Sequence, residues 1–307
     1  MSRAVVYDTF GGPEVLELRE VPEPHAGAGE VRVRVTAVGL NPMDWVLSSV
    51  PEAAQRFGIT LPAGFATDFA GTVDEVGAGV ADFAVGDRVY GAATAQAAAD
   101  FVVIDPSGAN ALRHTPAEVS DEVASTLAVA GLTASAALTA TGVKAGDTVL
   151  IGGAAGGVGV FAVQLARLAG ARVIGTASEG TFDFLRGLGA EPVAYGPGLE
   201  DRVRATVPGG VSAAIDLFGT ETAEAALALG VPAERIATIA APNPPQGVRA
   251  TSGFDASPED LTHITGAIAA GELTVPIAET FPLERIQEAV RLQSGRRVHG
   301  KIVVTLV

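Results

Sequence analysis

Hydrophobic and polar positions alternate along the first third of the chain. The segment Glu30–Thr36 alternates strictly, which is the period of a β-strand with one buried side and one side facing solvent. Shorter runs of the same kind lie at 70–73, 87–90 and 101–104, and turns with glycine or proline separate them. Many short strands between such turns predict a compact, β-rich unit.

The pattern changes from about Ser120, where an acidic first turn leads into an Ala-rich segment that predicts one helix up to about Leu138. Strand-like runs and helical segments then alternate, with strands at 147–151, 172–176 and 213–217 and helices at 160–168 and 181–188. This alternation predicts right-handed βαβ units on a parallel sheet. After about Glu272 the strand pattern returns and ends in a closing strand over 298–304. We therefore expect an α/β fold in which the parallel-sheet domain is inserted within the β-rich domain.

Composition narrows the possible chemistry. The chain has 307 residues and no cysteine, which excludes disulfides, thiolate catalysis and cysteine-ligated zinc. A net charge of −15 disfavours nucleic acid and anionic membranes as partners, because both select for clustered Lys and Arg. No apolar run approaches the roughly 20 residues of a membrane-spanning helix, and the N-terminus lacks the pattern of a signal peptide. We expect a soluble, cytoplasmic protein.

A glycine-rich turn follows the strand-like run at 147–151, and a helical pattern begins directly after it. The turn reads Gly152-Gly153-Ala154-Ala155-Gly156-Gly157-Val158-Gly159. In the G-x-G-x-x-G frame of dinucleotide-binding turns, Ala154, Gly156 and Gly159 hold the three glycine positions. Gly156 would let the backbone approach a pyrophosphate, and Gly159 would allow the helix to pack closely on the strand. The alternative is a tight turn that binds nothing, but a strand, glycines and a helix in register favour a dinucleotide site.

The end of the next strand bears on the choice between NAD and NADP. An acid there hydrogen-bonds the ribose 2′-hydroxyl of NAD and repels a 2′-phosphate. Ala177 stands about where the acid usually falls, and Ser178 can donate to a phosphate, which favours NADPH. Glu179 follows directly, and no Lys or Arg comes before Arg186, which keeps NADH possible.

Further motifs occur in order along nearly the whole chain: Gly39–Asp44, Asp68–Val73, Gly86–Val89, Gly131–Ala134, the glycine-rich turn, Gly189-Ala190 and Gly300-Lys301. In this order and spacing they resemble the zinc-independent quinone oxidoreductase branch of the medium-chain dehydrogenase/reductase superfamily. The resemblance implies a GroES-like catalytic domain over 1–122 and 271–307, and an inserted Rossmann domain with a doubly wound parallel sheet over 123–270. It also implies a homodimer in which NADPH reduces a quinone or an α,β-unsaturated carbonyl without a metal ion.

The resemblance also implies roles for single residues. Carried over by position, Asn41 would face the nicotinamide and the substrate, and Thr133 would lie near the nicotinamide. Ser178 and Tyr195 would face the adenosine 2′-phosphate. Lys301, one of only two lysines in the chain, is expected among the cofactor-binding residues.

Residue chemistry leaves several of these roles open. Asn41 could donate to an enolate oxygen through its amide, or it could only form the turn before Pro42. Asp44 could order water or relay a proton, or it could serve only as a helix-start acid. We take Asn41, Asp44 and Thr133 as the catalytic candidates. No tyrosine follows in the loop after Asn41, so solvent is the expected proton source, and the four histidines share no metal-ligand spacing.

The family pattern is broken just before the strand-like run at 70–73. The usual Pro-Gly-x-Asp reads Phe65-Ala66-Thr67-Asp68 here, so the shape of this substrate-side loop stays open. Two other functions stay open as well. One is an enoyl-thioester reductase of polyketide or fatty acid assembly, although so few lysines make a phosphopantetheine patch hard to build. The other is a catalytically silent nucleotide-binding sensor or structural protein, because a fold does not dictate function.

Overall fold

A computed structural model describes residues 1–108, 112–257 and 259–306 of the chain. These residues form two compact units. The first contains Met1–Val129, Leu261–Ala269 and Ile277–Val307, and the second contains Ala130–Asp260 and Ala270–Pro276. Residues 109–111, 258 and 307, which belong to the predicted domain ranges, lie outside the described part.

The strands are, in chain order, β1 (Ser2–Tyr7), β2 (Glu17–Val21), β3 (Val31–Leu40), β4 (Ala63–Gly64), β5 (Asp68–Val76), β6 (Arg88–Ala92), β7 (Phe101–Ile104), β8 (Leu112–His114), β9 (Thr148–Gly152), β10 (Arg172–Ala177), β11 (Glu191–Ala194), β12 (Ala213–Asp216), β13 (Ile236–Thr238), β14 (Arg249–Ala250), β15 (Ile277–Pro282) and β16 (Lys301–Thr305). The helices are α1 (Pro42–Ser49), α2 (Pro51–Arg56), α3 (Asp121–Ala124), α4 (Ala128–Thr141), α5 (Gly159–Leu168), α6 (Phe182–Leu188), α7 (Leu199–Thr206), α8 (Glu221–Ala228), α9 (Asp260–Ala269) and α10 (Ile286–Ser294). None of these helices is long and apolar enough to cross a membrane.

The first unit is β-rich. Its larger sheet runs in the order β15-β16-β3-β5-β6-β8, and β7 also pairs with β3. The strictly alternating segment at 30–36 lies in β3, as predicted, with Val31, Val33 and Val35 buried. The polar side of β3 is partly covered too, because Arg32 packs over the ring of Phe101 and hydrogen-bonds Asp74. A smaller sheet, β2-β1-β4, completes the unit.

The second unit contains a parallel sheet in the order β11-β10-β9-β12-β13-β14. Numbered within the unit, that order is 3-2-1-4-5-6, which defines a doubly wound sheet. The predicted α/β fold class is therefore confirmed. Since all the pairs are parallel, the carboxyl ends of the strands meet at one edge. The strand order reverses between β9 and β12, which is where such sheets bind ligands.

The Ala-rich helix predicted from about Ser120 is broken into α3 and α4, so the prediction of one helix was wrong. Ser120 begins α3 as an N-cap that accepts the Val123 N–H. At the break, Ser125 Oγ donates to Glu122 O and Thr126 Oγ1 donates to Val123 O. Such side-chain bonds to the backbone compete with the helical pattern.

The predicted domain ranges stay a prediction, and the compact units divide the chain differently near the predicted boundaries. The Val129 N–H bonds to Asp68, which ties the start of α4 to the first unit. Thr265 of α9 hydrogen-bonds the hydroxyl of Tyr90, so 261–269 belongs there too. Thr274 bonds to Gln164, which places 270–276 in the second unit.

Candidate functional site

The glycine-rich turn connects β9 to α5 at the carboxyl edge of the parallel sheet. A Cβ on Gly152 would overlap the side chain of Thr222. Gly153 has a φ of +68°, a left-handed conformation that glycine adopts without strain. The Gly153 N–H donates to Thr176 Oγ1 at 3.2 Å, and the Ala154 N–H to Thr176 O at 3.3 Å. These bonds hold the turn against the end of β10.

Gly156 and Gly159 face different surroundings. A Cβ on Gly159 would overlap Gly153 O and Ala154 O, so the first residue of α5 must lack a side chain for the turn to close. A Cβ on Gly156 would meet only Gly153 O, at 3.3 Å. Packing therefore explains glycine at 159 and explains it far less at 156. The space beside Gly156 is the kind of cradle that a pyrophosphate requires.

The predicted adenosine-side residues lie along the same edge. Ala177, the last residue of β10, is buried, and Ser178 follows it on the surface with its Oγ 2.8 Å from Thr181 Oγ1. Tyr195 follows β11 and is 58% exposed. No carboxylate stands at the end of β10, but Glu179 is exposed beside Ser178. Ser178 and Tyr195 are thus available to a ligand, and their roles toward a 2′-phosphate stay predictions.

Arg202 fixes the loop that carries Tyr195 by hydrogen bonds to the loop backbone. Its guanidinium donates to the carbonyl oxygens of Ala194, Tyr195, Gly196 and Pro197 at 2.7–3.1 Å. The donor groups of the Arg202 guanidinium are therefore engaged by the backbone of this loop.

Asp216, at the end of β12, was missed by the sequence reasoning. Its buried carboxylate accepts the backbone N–H groups of Phe218, Gly219, Thr222 and Ala223 at 2.8–3.2 Å. The carboxylate thereby fixes the turn into α8 and compensates the unpaired N–H groups at the helix start. An acid at the end of a buried strand and shortly before a helix was the available signal.

Thr133 lies on α4 in the second unit and is almost fully buried. A Cβ on Gly253 would come within 3.2 Å of its hydroxyl oxygen. The predicted nearness of Thr133 to a nicotinamide stays a prediction.

Asn41 joins a buried polar cluster in the first unit. Its Nδ2 donates to Asp68 Oδ2 at 2.9 Å and lies 3.4 Å from Gly39 O, while its Oδ1 accepts from Lys301 Nζ at 2.6 Å. Lys301 also donates to Leu40 O at 2.9 Å. Asn41 is only 2% exposed and Lys301 is equally buried. The observed role of the Asn41 amide is to bridge an ammonium and a carboxylate, while substrate contact by Asn41 and cofactor contact by Lys301 stay predictions.

Asp44 stands beside this cluster at the start of α1. Its Oδ2 accepts the Asn41 N–H at 2.7 Å, which is the helix-start role. Its Oδ1 is buried without a hydrogen-bond partner, and so is Thr67 Oγ1. Both residues line a narrow crevice, too tight to admit a water molecule, that Tyr7 and Ala66 also border. Ala66 occupies the family's glycine position with a φ of +63°, which is strained for a residue with a side chain.

Burial governs the charges of this cluster. Desolvation raises the pKa of Asp44 to about 6, although the Asn41 N–H and the charge of Lys301 oppose the rise. Desolvation also raises the pKa of Asp68 and lowers the pKa of Lys301, against their mutual attraction. Two buried carboxylates beside one ammonium leave a net negative charge, so a low-dielectric interior favours retaining one proton.

Hydrogen bonding indicates which carboxyl holds that proton. Asp68 Oδ2 accepts from Asn41 Nδ2 and Asp68 Oδ1 accepts from the Val129 N–H, so hydrogen bonds to both oxygens stabilise the ionised form of Asp68. Asp44 Oδ1 alone among these four carboxyl oxygens has no partner. Asp44 Oδ1 is therefore the carboxyl oxygen at which a proton would displace no observed hydrogen bond.

The residues with metal-binding chemistry are scattered. Across 1–108, 112–257 and 259–306, no three His, Asp or Glu side chains come together as a metal-ligand set.

Models of known protein families match segments of both units. The family model described as "Alcohol dehydrogenase GroES-like domain" matches residues 27–108. The family model described as "Zinc-binding dehydrogenase" matches residues 188–304. A mycobacterial protein solved in complex with NADPH shares 30% identity and a TM-score of 0.86, with 100% of both chains covered. The chain belongs to the medium-chain dehydrogenase/reductase superfamily.

Two curated relatives are similar over part of their length. A chloroplastic quinone oxidoreductase of Triphysaria versicolor is 37% identical over 63% of this chain and 60% of its own. The spectinabilin polyketide synthase protein NorB of Streptomyces orinoci is 34% identical over 96% of this chain and 14% of its own. The chain thus spans less than two thirds of each relative. The homodimer and the cytoplasmic location stay predictions.

Proposed function

We propose that the chain is an NADPH-dependent reductase that transfers hydride to a quinone or an α,β-unsaturated carbonyl without a metal ion. The observation that carries the proposal is Gly156. Gly156 lies in the turn after β9, at the point where the strand order of the parallel sheet reverses. Packing against backbone oxygens explains why residue 159 is a glycine but hardly explains why residue 156 is one. A bound pyrophosphate accounts for the missing side chain.

The residues present fit a dinucleotide. The turn from Gly153 to Gly159 would hold the pyrophosphate with backbone N–H groups and the N-terminus of α5. Ser178 and Tyr195 would hold the adenosine side. When bound, the cofactor supplies a hydride to the acceptor. Absence of a carboxylate at Ala177 supports NADPH, and so does the mycobacterial relative solved with NADPH; Glu179 beside Ser178 keeps NADH in the test.

The first unit supplies the polar surroundings in this proposal. Hydride addition leaves negative charge on the acceptor oxygen, which needs a polar environment and then a proton. Lys301, Asn41 and Asp68 form a fixed chain of hydrogen bonds, so their orientation is set before any substrate arrives. Asp44 of the first unit and Thr133 of the second unit are the other catalytic candidates. Solvent supplies the proton.

A second candidate function has a specific observation in its favour. NorB, a polyketide synthase protein, matches 96% of this chain, which supports an enoyl-thioester reductase. Comparing a crotonyl thioester with a simple quinone at equal concentrations separates the two, since the preferred acceptor gives the higher kcat/KM.

The proposal is tested by adding NADPH or NADH and following thermal unfolding, then following NADPH oxidation with a quinone. We expect NADPH at about 100 times its Kd to stabilise the protein by about 2.7 kcal/mol, and NADH to need a higher concentration for the same shift. Equal stabilisation by both would remove the NADPH preference. Stabilisation by neither would overturn the dinucleotide site, and binding without quinone or enone turnover would favour the silent sensor.

A further inference from the structure

Phe218 stands at the carboxyl edge of the parallel sheet, directly after β12. It is 59% exposed. A Cβ on Gly153 would lie 3.4 Å from Phe218 Cβ, so Phe218 is a neighbour of the glycine-rich turn. A single exposed phenylalanine is common on a protein surface. What distinguishes Phe218 is its place on the side of the turn away from Ser178.

The backbone of Phe218 is held in that place. Asp216 accepts the N–H groups of Phe218 and Gly219 at 3.0 and 2.8 Å, and the N–H of Thr222 at 2.9 Å. The same turn packs against β9, because the Thr222 side chain fills the space that a Cβ on Gly152 would need. An aromatic ring fixed at its backbone is ready to contact a ligand at little entropic cost.

Two exposed aromatic residues therefore flank the turn. Tyr195 follows β11 and Phe218 follows β12, and the strand order β11-β10-β9-β12 places the turn and Ser178 between them. Three strand spacings separate β11 from β12, roughly 14 Å. A dinucleotide whose ribose lies at the end of β10 and whose pyrophosphate lies over the β9 turn extends its other half toward β12.

We propose that Phe218 packs against the nicotinamide half of the bound dinucleotide and contributes to its affinity, while Tyr195 serves the adenosine half. The inference rests on the proposed function. The ligand chemistry is a flat heterocycle with its ribose, which an aromatic side chain contacts through its face or edge.

The experiment compares two ligands on three variants. The ligands are NADPH and 2′,5′-ADP, which carries only the adenosine half, and their Kd values are measured by isothermal titration calorimetry. The variants are Phe218→Ala, Tyr195→Ala and Leu168→Ala. Leu168 is the matched control, because it is 49% exposed in the same unit but ends α5, whose start lies at the turn. Circular dichroism melts confirm that each variant folds.

We expect Phe218→Ala to raise the Kd of NADPH roughly fivefold or more and to leave the Kd of 2′,5′-ADP within about twofold. Tyr195→Ala should weaken both ligands, and Leu168→Ala neither. Equal weakening of both ligands by Phe218→Ala would place the ring on the adenosine half and overturn the inference. An unchanged Kd for NADPH in Phe218→Ala, with Tyr195→Ala impaired, would overturn it too. Failure of the unsubstituted protein to bind NADPH or NADH would instead overturn the proposed function.

Discussion

Single residues of the glycine-rich turn have separable tasks. A Cβ on Gly159 collides with the backbone oxygens of Gly153 and Ala154, whereas a Cβ on Gly156 meets one oxygen at 3.3 Å. The G-x-G-x-x-G frame of the sequence assigned Gly156 and Gly159 to one motif. Only their surroundings show that one serves the fold and the other leaves room for a ligand.

Alanine substitution should separate these tasks. We expect Gly159→Ala to lower the free energy of unfolding by about 1–3 kcal/mol, because the turn must open to admit the methyl group. Gly156→Ala should change stability by less than about 1 kcal/mol and weaken NADPH binding at least tenfold. Urea unfolding and calorimetric titration measure the two effects. Wild-type affinity in Gly156→Ala would show that the pyrophosphate binds elsewhere.

Asp44 should make stability depend on pH. Its pKa is raised from 3.8 to about 6 in the folded state, so the folded protein binds this proton more tightly than the unfolded chain. The stabilising effect is fully present below pH 4 and is lost as the pH rises through about 6. We expect it to amount to 2–3 kcal/mol, on the order of 1.4 kcal/mol per pKa unit.

Asp44→Asn is the matched variant, because its amide oxygen can still accept the Asn41 N–H. Urea unfolding of both proteins between pH 4 and 7.5 cancels the titrating groups that do not interact with Asp44, and the remaining difference reports Asp44 together with its effect on Asp68. The difference in free energy of unfolding, wild type minus Asp44→Asn, should fall as the pH rises. A difference that stays constant across this range would mean that Asp44 is ionised throughout.

At the scale of elements, periodic patterns predicted the regular interior well. The strands predicted at 147–151, 172–176 and 213–217 overlap β9, β10 and β12, and the helix predicted at 160–168 lies within α5. These elements have one face or both faces in the core, so their apolar spacing is unambiguous. The bounds of β15 were not predicted within the strand pattern that returns after about Glu272, because β15 is an edge strand with mostly exposed side chains and carries little apolar alternation.

The start of α8 should depend on Asp216. We expect Asp216→Ala to lower the free energy of unfolding by about 2–4 kcal/mol, because it leaves buried N–H groups without an acceptor. The matched control is Asp201→Ala in α7, since Asp201 is largely exposed and pairs with Arg204 on the same helix. Removing such an exposed pair should cost less than about 0.5 kcal/mol. Chemical denaturation measures both, and a similar small loss for the two variants would contradict the role given to Asp216.

At the scale of the whole molecule, the net charge of −15 acts on any anionic cofactor. We expect NADPH to associate faster when sodium chloride rises from about 20 mM to about 200 mM, because salt screens repulsion between like charges. The increase should be smaller for NADH, which lacks the 2′-phosphate. Stopped-flow fluorescence measures both rates. Slower NADPH association at high salt would show that a local positive field at the turn outweighs the net charge.

The sequence by itself determined the class of the fold and the position of the glycine-rich turn. Strand and helix periods, turn glycines and the strand-turn-helix context act over a few residues, so they can be recognised in one chain. The same local information indicated the absence of cysteine chemistry. It also offered Asp44 as a helix-start acid, and Asp44 lies in the first turn of α1.

Tertiary structure alone decided what those residues contact. Lys301 meets Asn41 across 260 positions of sequence, and Asn41 meets Asp68 across 27. Neither the pairing nor the burial that raises the pKa of Asp44 is encoded locally, because desolvation depends on every segment packed around the group. The same holds for Phe218, whose neighbour Gly153 follows a different strand of the sheet. The sequence could identify candidate site residues from their chemistry. Only the folded chain could show which of these groups bond to one another and which are exposed.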